Sequence, residues 1–237
     1  MPSAQQREIE EPLLVTAKQE QADLPALLIA IRASSVRNLN SLHSRGSVLF
    51  AEGEQPRGIY ILRTGRATVS ISSSEGRVVM LGIAHAGTVL GLNSVLRNCT
   101  YDTTVKAVES CRTDFIPRAE LIELMQQSHA GAQVILKLLS QELTELTDRA
   151  KLLLLPRTVS GRLAKLLLEW SKDNTSHMSG TVLLDRVLTH EEIAQMICSS
   201  RETVTRLLAT LSSQQVIQIT SESILICDRP ALERLAC

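Results

Sequence analysis

The chain has 237 residues, long enough for two modest domains, and its 44% hydrophobic content excludes general disorder. No stretch approaches the roughly 18 consecutive apolar residues that a membrane-spanning helix needs. Acidic and basic residues balance at 25 each, and they balance again within residues 156–237, so affinity for a polyanion would need basic groups gathered on one face rather than a bulk positive field.

Residues 1–22 are polar, rich in Gln and Glu, and without a hydrophobic period, which predicts a loosely held N-terminal arm. It carries no basic-then-apolar leader, and the five cysteines of the chain are scattered without a disulfide-framework spacing, so a reducing cytoplasm is the expected location and no membrane is an expected partner. From Asp23, which can cap a helix with Pro25 in its first turn, Leu27, Leu28 and Ile31 form an apolar stripe that Val36, Leu39 and Leu42 continue. Two small helices are predicted there. From Gly46 the period changes to short β-rich runs: Val48–Phe50, Ile59–Leu62, Ala67–Ile71, Val78–Leu81, Thr88–Leu90, Thr103–Val105 and Asp114–Ile116. Bounded by Gly53, Gly58, Gly65, Gly76 and Gly87, they predict a small sandwich or roll.

After Pro117 a short helix from Arg118 to Met125 closes the roll. Ala132, Leu136, Leu139, Leu143, Leu146, Ala150 and Leu153 then recur at intervals of four and three, the seam of a two-stranded coiled coil over residues 131–155. A helix with that seam and also Leu138, Leu152, Leu154 and Leu155 has two surfaces to cover. One is expected to face the roll and the other a second copy of the chain, giving a homodimer; the alternative is a stripe packed wholly on its own domain.

Pro156 ends that helix, and Val159, Leu163, Leu166, Leu167 and Trp170 stripe the next, predicted over Arg157 to Trp170. A polar loop over residues 172–181 leads to a short strand, Val182–Leu184. Thr189 followed three residues later by Glu192 is a capping box for a helix from His190 to Ile197. Cys198-Ser199-Ser200 is a break, with Ser199 or Ser200 capping a second helix. There Val204, Leu207, Leu208 and Leu211 face inward, leaving Arg201, Glu202, Thr205 and Arg206 on the opposite face. Val216–Ile219 and Ile224–Cys227 around Thr220–Ser223 form a hairpin wing, and Pro230 to Leu235 a terminal helix.

Two helices joined by a short turn, the second offering Arg near its N-terminus, is what major-groove readout of double-stranded DNA requires. Arg gives bidentate contacts to guanine, and a carboxylate accepts from cytosine N4. The plain alternative for Glu202 and Arg206 is a surface i,i+4 ion pair. The neighbours argue against it. Ser200-Arg-Glu-Thr-Val-Thr-Arg206, preceded by Glu192-Ile-Ala-Gln and followed by Leu207-Leu208, resembles the recognition helix of the Crp/Fnr transcription regulators. One departure is Cys198, where many such turns carry Gly, which raises the backbone cost if that position needs positive φ.

The strand punctuation carries the same resemblance upstream: Gly53-Glu54, Tyr60-Ile-Leu-Arg-Thr-Gly65-Arg66, Glu75-Gly76 and Gly87-Thr-Val-Leu-Gly91 follow the order of the cyclic-nucleotide-binding β-roll of that family. The resemblance covers the chain from about residue 24. It implies an α+β fold: a cyclic-nucleotide-binding-like effector domain over 23–130, a dimerisation helix over 131–155 and a winged helix-turn-helix over 156–237. It implies a dimeric cytoplasmic transcription regulator, an activator, with DNA, itself and RNA polymerase as partners. It assigns Ser200, Arg201, Glu202, Thr205, Arg206 and Thr189 to DNA.

In the family the nucleotide loop lies between Gly91 and about Val105, and here the sequence departs. Cyclic-AMP binders place Glu after the glycine and an Arg-Ser pair before the next strand; this chain has Leu92, and Tyr101-Asp102. Thr147-Asp148 stands where a Thr-Ser pair reaches the base from the long helix. Gly91, Leu92, Tyr101, Asp102, Thr147 and Asp148 therefore mark a pocket expected to be altered or degenerate, with an unknown small-molecule effector or none. Arg97 as a substitute cation is outweighed by its reading as an exposed loop residue. No iron–sulfur cluster is expected, because Cys99 and Cys111 are the first two cysteines and no N-terminal run exists. Isolated His43, His85 and His129 read as surface or satisfied residues rather than haem ligands. Cys198 beside the recognition helix admits a redox role, with a plain turn cysteine as the simpler account. The alternative function is a ligand-binding or redox-sensing module with weak or vestigial DNA binding. Nothing supports an enzyme: no Cys/His pair, paired-carboxylate signature, metal cluster or phosphate loop is present.

Overall fold

The computed structural model describes residues 39–173, 177–178, 181–185, 188–220 and 223–236. The expected arm, the helix capped by Asp23, and parts of the 172–181 loop and the wing turn lie outside them. Two four-stranded antiparallel sheets make the roll. One has the order β1 (Leu39–His43), β8 (Cys111–Pro117), β3 (Gly58–Thr64), β6 (Val89–Leu90). The other has the order β2 (Val48–Phe50), β7 (Thr104–Ala107), β4 (Ala67–Ser72), β5 (Val78–Ala84). Core side chains of the roll, among them Ile59, Ile61, Leu62, Val105 and Ile116, are fully buried.

The segment around Leu39 and Leu42 is a correction. Its three-residue spacing predicts a helix, yet Leu39 to His43 pair with Phe115 to Cys111 as an edge strand. So few turns do not separate helix from strand, and the ladder offered by β8 decides. Two short helices, α1 (Leu92–Arg97) and α2 (Arg118–Gln127), close the roll with Leu92, Val95, Leu121 and Leu124.

Helix α3 (His129–Leu154) begins at Ser128, whose hydroxyl accepts from the Gly131 amide. Val134, Ile135 and Leu138 complete the core of the roll, whereas Leu152 belongs to a second core. Most of the four-three stripe is left open: Leu136, Leu143 and Leu146 are 63%, 67% and 47% exposed, while Leu139 packs against the first core and Leu153 against the second. Ala150 is exposed, and Ala132, Leu139 and Leu153 are half-buried.

Helix α4 (Val159–Asp173) starts at the first residue of its apolar stripe, two residues after the expected Arg157, because the Thr158 hydroxyl accepts from the Gly161 amide and sets the cap. Strands β9 (His177–Met178) and β10 (Thr181–Asp185) precede helices α5 (His190–Met196) and α6 (Arg201–Ser213). The sheet is completed by β11 (Ile217–Ile219) and β12 (Ser223–Ile226), in the order β11-β12-β10-β9. Helix α7 (Arg229–Leu235) is capped by Asp228. Leu163, Leu167, Ile193, Val204, Leu208, Leu211, Ile224 and Leu232 form the second core. That core also contains Met80, a residue of β5 in the roll. No described helix is long and apolar enough to cross a membrane.

Candidate nucleic-acid interface and effector site

The turn between α5 and α6 is built from local hydrogen bonds. The Glu192 carboxylate accepts from the Thr189 amide at 2.7 Å while the Glu192 amide donates to the Thr189 hydroxyl at 3.2 Å, a full capping box. At the other end Cys198 adopts φ +50°, and the Ser199 amide returns to the Ala194 carbonyl at 2.9 Å. This is a Schellman closure whose left-handed position is held by a β-carbon-bearing residue rather than glycine. Ser200 then caps α6 by accepting from the Thr203 amide.

On α6 the buried side chains are Val204, Leu208 and Leu211, and Arg201, Glu202, Thr205 and Arg206 are exposed together on the other face. The Glu202 carboxyl is held below the usual carboxylate range first by its own amide and then by the Ser200 hydroxyl, with Arg201 adding a smaller share. Arg206 does not appear among its partners, so the ion-pair alternative has no support here. Thr205 differs from a free reader: its hydroxyl donates to the Arg201 carbonyl at 2.9 Å and meets His190 Nδ1 at 2.9 Å. His190 was outside the sequence-based set, although its place at the first turn of α5, across from Thr205, is a foreseeable signal.

The effector residues are not drawn around one point. Gly91, at φ +79°, caps α1, and a β-carbon there would lie 2.7 Å from the Tyr101 ring. Leu92 and Tyr101 are buried core residues; Tyr101 stacks on Phe50 at 4.0 Å and donates its hydroxyl to the Gly58 carbonyl. Burial pushes the Tyr101 phenol up to about 12. Asp102 is exposed and accepts from the Asn93 amide group at 2.7 Å. On α3, Thr147 is exposed and donates back to the Leu143 carbonyl, and Asp148 pairs with Lys151. A residue the sequence reading missed is Glu142 on α3. Its carboxyl is raised, first by burial and then by the charge of Asp102, which places two carboxyl groups in one neighbourhood. A lone Glu beside a heptad position carries no signal of that encounter.

Among the described residues no group of three or more His, Cys, Asp or Glu is placed to hold a metal. Cys99, Cys111, Cys198 and Cys227 are free thiols.

Comparison with known proteins places these two parts. Residues 43–128 match the cyclic nucleotide-binding domain, and residues 161–235 the Crp-like helix-turn-helix domain. A CRP-like cAMP-activated global transcriptional regulator of Mycobacterium tuberculosis is 28% identical over 192 residues, covering 81% of this chain and 85% of that protein. A global nitrogen regulator of Synechococcus elongatus is 28% identical over 194 residues, covering 80% and 86%. The fold is shared with FixK2 of Bradyrhizobium japonicum, at a TM-score of 0.72 and 21% identity over 85% of this chain and 98% of that one. It is shared too with a CooA mutant of Carboxydothermus hydrogenoformans, at a TM-score of 0.73 and 19% identity over 89% and 95%. With a cyclic nucleotide-binding domain followed by a Crp-like helix-turn-helix, the chain belongs to the Crp/Fnr family of transcription regulators, a family of DNA-directed regulators and not of enzymes.

Proposed function

We propose that the chain works as a homodimer that reads an inverted-repeat operator through α6 and does so without cyclic AMP as its tight-binding effector. The observation that carries the proposal is the single outward face of α6, where Arg201, Glu202 and Arg206 stand exposed above a buried Val204, Leu208 and Leu211. Arg201 and Arg206 each take a guanine and Glu202 accepts from a cytosine amine, giving a G-x-G-A core in each half-site. Ser200 and Thr189 spend their hydroxyls on caps, so they position the helices and meet the phosphate backbone rather than bases. Thr205, tied to His190, presents its methyl group more readily than its hydroxyl.

The open stripe of α3 supports the dimer. A two-fold axis along it sets the half-sites about one helical turn, roughly 34 Å, apart. Recruitment of RNA polymerase from a site so occupied is the expected route to activation.

Cyclic AMP does not fit the residues present. Its phosphate needs a cation, and the neighbourhood offers the Asp102 and Glu142 carboxyl groups; its ribose needs an acceptor, and Leu92 is buried hydrocarbon. Tyr101, at the position of the family's arginine, is locked in the core. The effector domain is therefore either tuned to an uncharged or cationic small molecule or held in one state. The deciding experiment is selection of bound DNA from a random pool, with and without extracted cell metabolites. Enrichment of an inverted repeat is expected; a pool that stays random under both conditions would leave a ligand-binding module with vestigial DNA binding as the better reading.

A further inference from the structure

We infer that Arg149 is the positioning residue that fixes the helix-turn-helix against the β-roll, and through it sets the separation of the two recognition helices. The consequence for DNA rests on the function proposed above; the geometry does not.

Arg149 lies on α3 and is only 9% exposed. One Nη2 donates to two carbonyls from different parts of the chain: Met80 of β5, at 2.7 Å, and Met196, the last residue of α5. Both acceptors lie where the backbone has fewer regular partners. β5 is an edge strand, flanked by β4 on one side only. Met196 belongs to the last turn of α5, where carbonyls lack an intrahelical donor and a cation is favoured by the helix dipole. Arg162 of α4 takes the next carbonyl, Ile197, at 2.8 Å. The end of α5 is thus capped by one arginine from the long helix and one from α4. Around the Arg149 contacts, Met80, Met196 and Leu152 are buried in a shared core, with Ile83 packed against it.

This arrangement holds the domains together without a deep energy well. Arg149 has no carboxylate within ion-pair distance among the described residues, and its Nε is buried without a hydrogen-bond partner. Burial lowers its affinity for the proton, offset in part by Cys198 and Glu169. Opening the interface hydrates the guanidinium and so returns much of what the two bonds contribute. Removing the guanidinium takes a donor from each of the two carbonyls at this buried contact, which favours opening. The long helix that carries the dimer seam therefore passes its orientation to α5, and from α5 through the tight Cys198 turn to α6.

The test uses the full chain with Arg149→Met, and Arg149→Lys as the variant that keeps a cation. Hydrogen exchange is followed in residues 78–84 and 190–198, with 59–62 and 204–208 as internal controls. In Arg149→Met, exchange at least tenfold faster in the first two segments and unchanged in the controls is expected, and Arg149→Lys should fall between it and the wild type. On the selected operator, with the half-site spacing varied a base pair at a time, wild type should show one optimum. The Met variant should lose about tenfold at that optimum with a flattened profile, and should bind a single half-site as wild type does. Unchanged exchange in both segments, a spacing profile as sharp as wild type, or loss of protection in the controls as well would each overturn the assignment. If wild type bound no DNA, the function proposed above would fail, and the exchange arm would still decide the role of Arg149.

Discussion

Replacing Leu143 and Leu146 together by Lys should convert the protein to a folded monomer, and the size of the effect follows from exposure. Leu136, Leu143 and Leu146 are 63%, 67% and 47% exposed in the isolated chain. Burying a whole leucine contributes about 1.5–3 kcal/mol, so covering the exposed share contributes roughly 1–2 kcal/mol for each side chain. Summed over the three leucines of both protomers, the gross stabilisation is on the order of 6–12 kcal/mol before the cost of association is subtracted. The double substitution removes two-thirds of it, and it sets like charges against each other across the two-fold axis. A loss of even ~4 kcal/mol raises the dissociation constant about a thousandfold. Sedimentation velocity over a wide concentration series reads that constant directly. Because both side chains point away from either core, the thermal unfolding of the monomer should still be cooperative. Leu154→Lys, 79% exposed but off the four-three stripe, should weaken the dimer far less. A double variant that sediments as a dimer of unchanged affinity would refute the reasoning, and so would one that dissociates only because it has unfolded.

Four further outcomes are expected. Arg206→Ala should cost on the order of 1–3 kcal/mol of binding and relax preference at one base position per half-site, read on a half-site library; an unchanged ranking of sequences would remove Arg206 as a base reader. Calorimetry with cyclic AMP should give no submicromolar affinity, and a tight isotherm would mean that a cation elsewhere reaches the phosphate. Cys198→Gly should stabilise the chain by about 0.5–1 kcal/mol, the relief of a left-handed backbone at φ +50° less the extra freedom of glycine when unfolded. Cys198→Ala should show no such gain in urea melts, and equal effects of the two would contradict the strain. Finally, the raised Glu142 carboxyl gives a pH slope: the unfolded chain ionises near 4.5, the folded chain only at higher pH, so stability falls as pH rises between those values and then levels. Glu142→Gln should flatten that slope, as measured by denaturant titrations at stepped pH.

What the sequence announced and what it withheld divide along a physical line. Interactions between residues a few positions apart were legible: the Thr189–Glu192 box, the Ser200 cap, and the strain at Cys198 that follows from the missing glycine. The four-three stripe was legible because it spans six turns. The strand at Leu39 was not, because its pairing partner lies more than sixty residues away in β8 and its own spacing suits a helix. Nor were Glu142 and Arg149. Both sit among polar positions of an amphipathic helix, where charge ordinarily means solvent, and only the approach of Asp102 to one and of two carbonyls to the other gives them roles. Tyr101 shows the intermediate case. Its departure from the family's arginine was visible, but not that the aromatic ring would be spent on the Phe50 stack and the Gly58 carbonyl.

The side chain of Met80 is packed in the core of the DNA-binding half although its backbone is woven into the roll. Peptide connectivity and apolar packing therefore divide the molecule at different places. A chain shortened after Leu155 would keep β5 yet expose Met80 and Leu152 to water, while the complementary fragment would have gaps where those two side chains belonged. Such halves would melt early and tend to find one another in solution. In any swap of DNA-binding halves between relatives, the strand carrying Met80 would have to travel with a segment that begins more than seventy residues later.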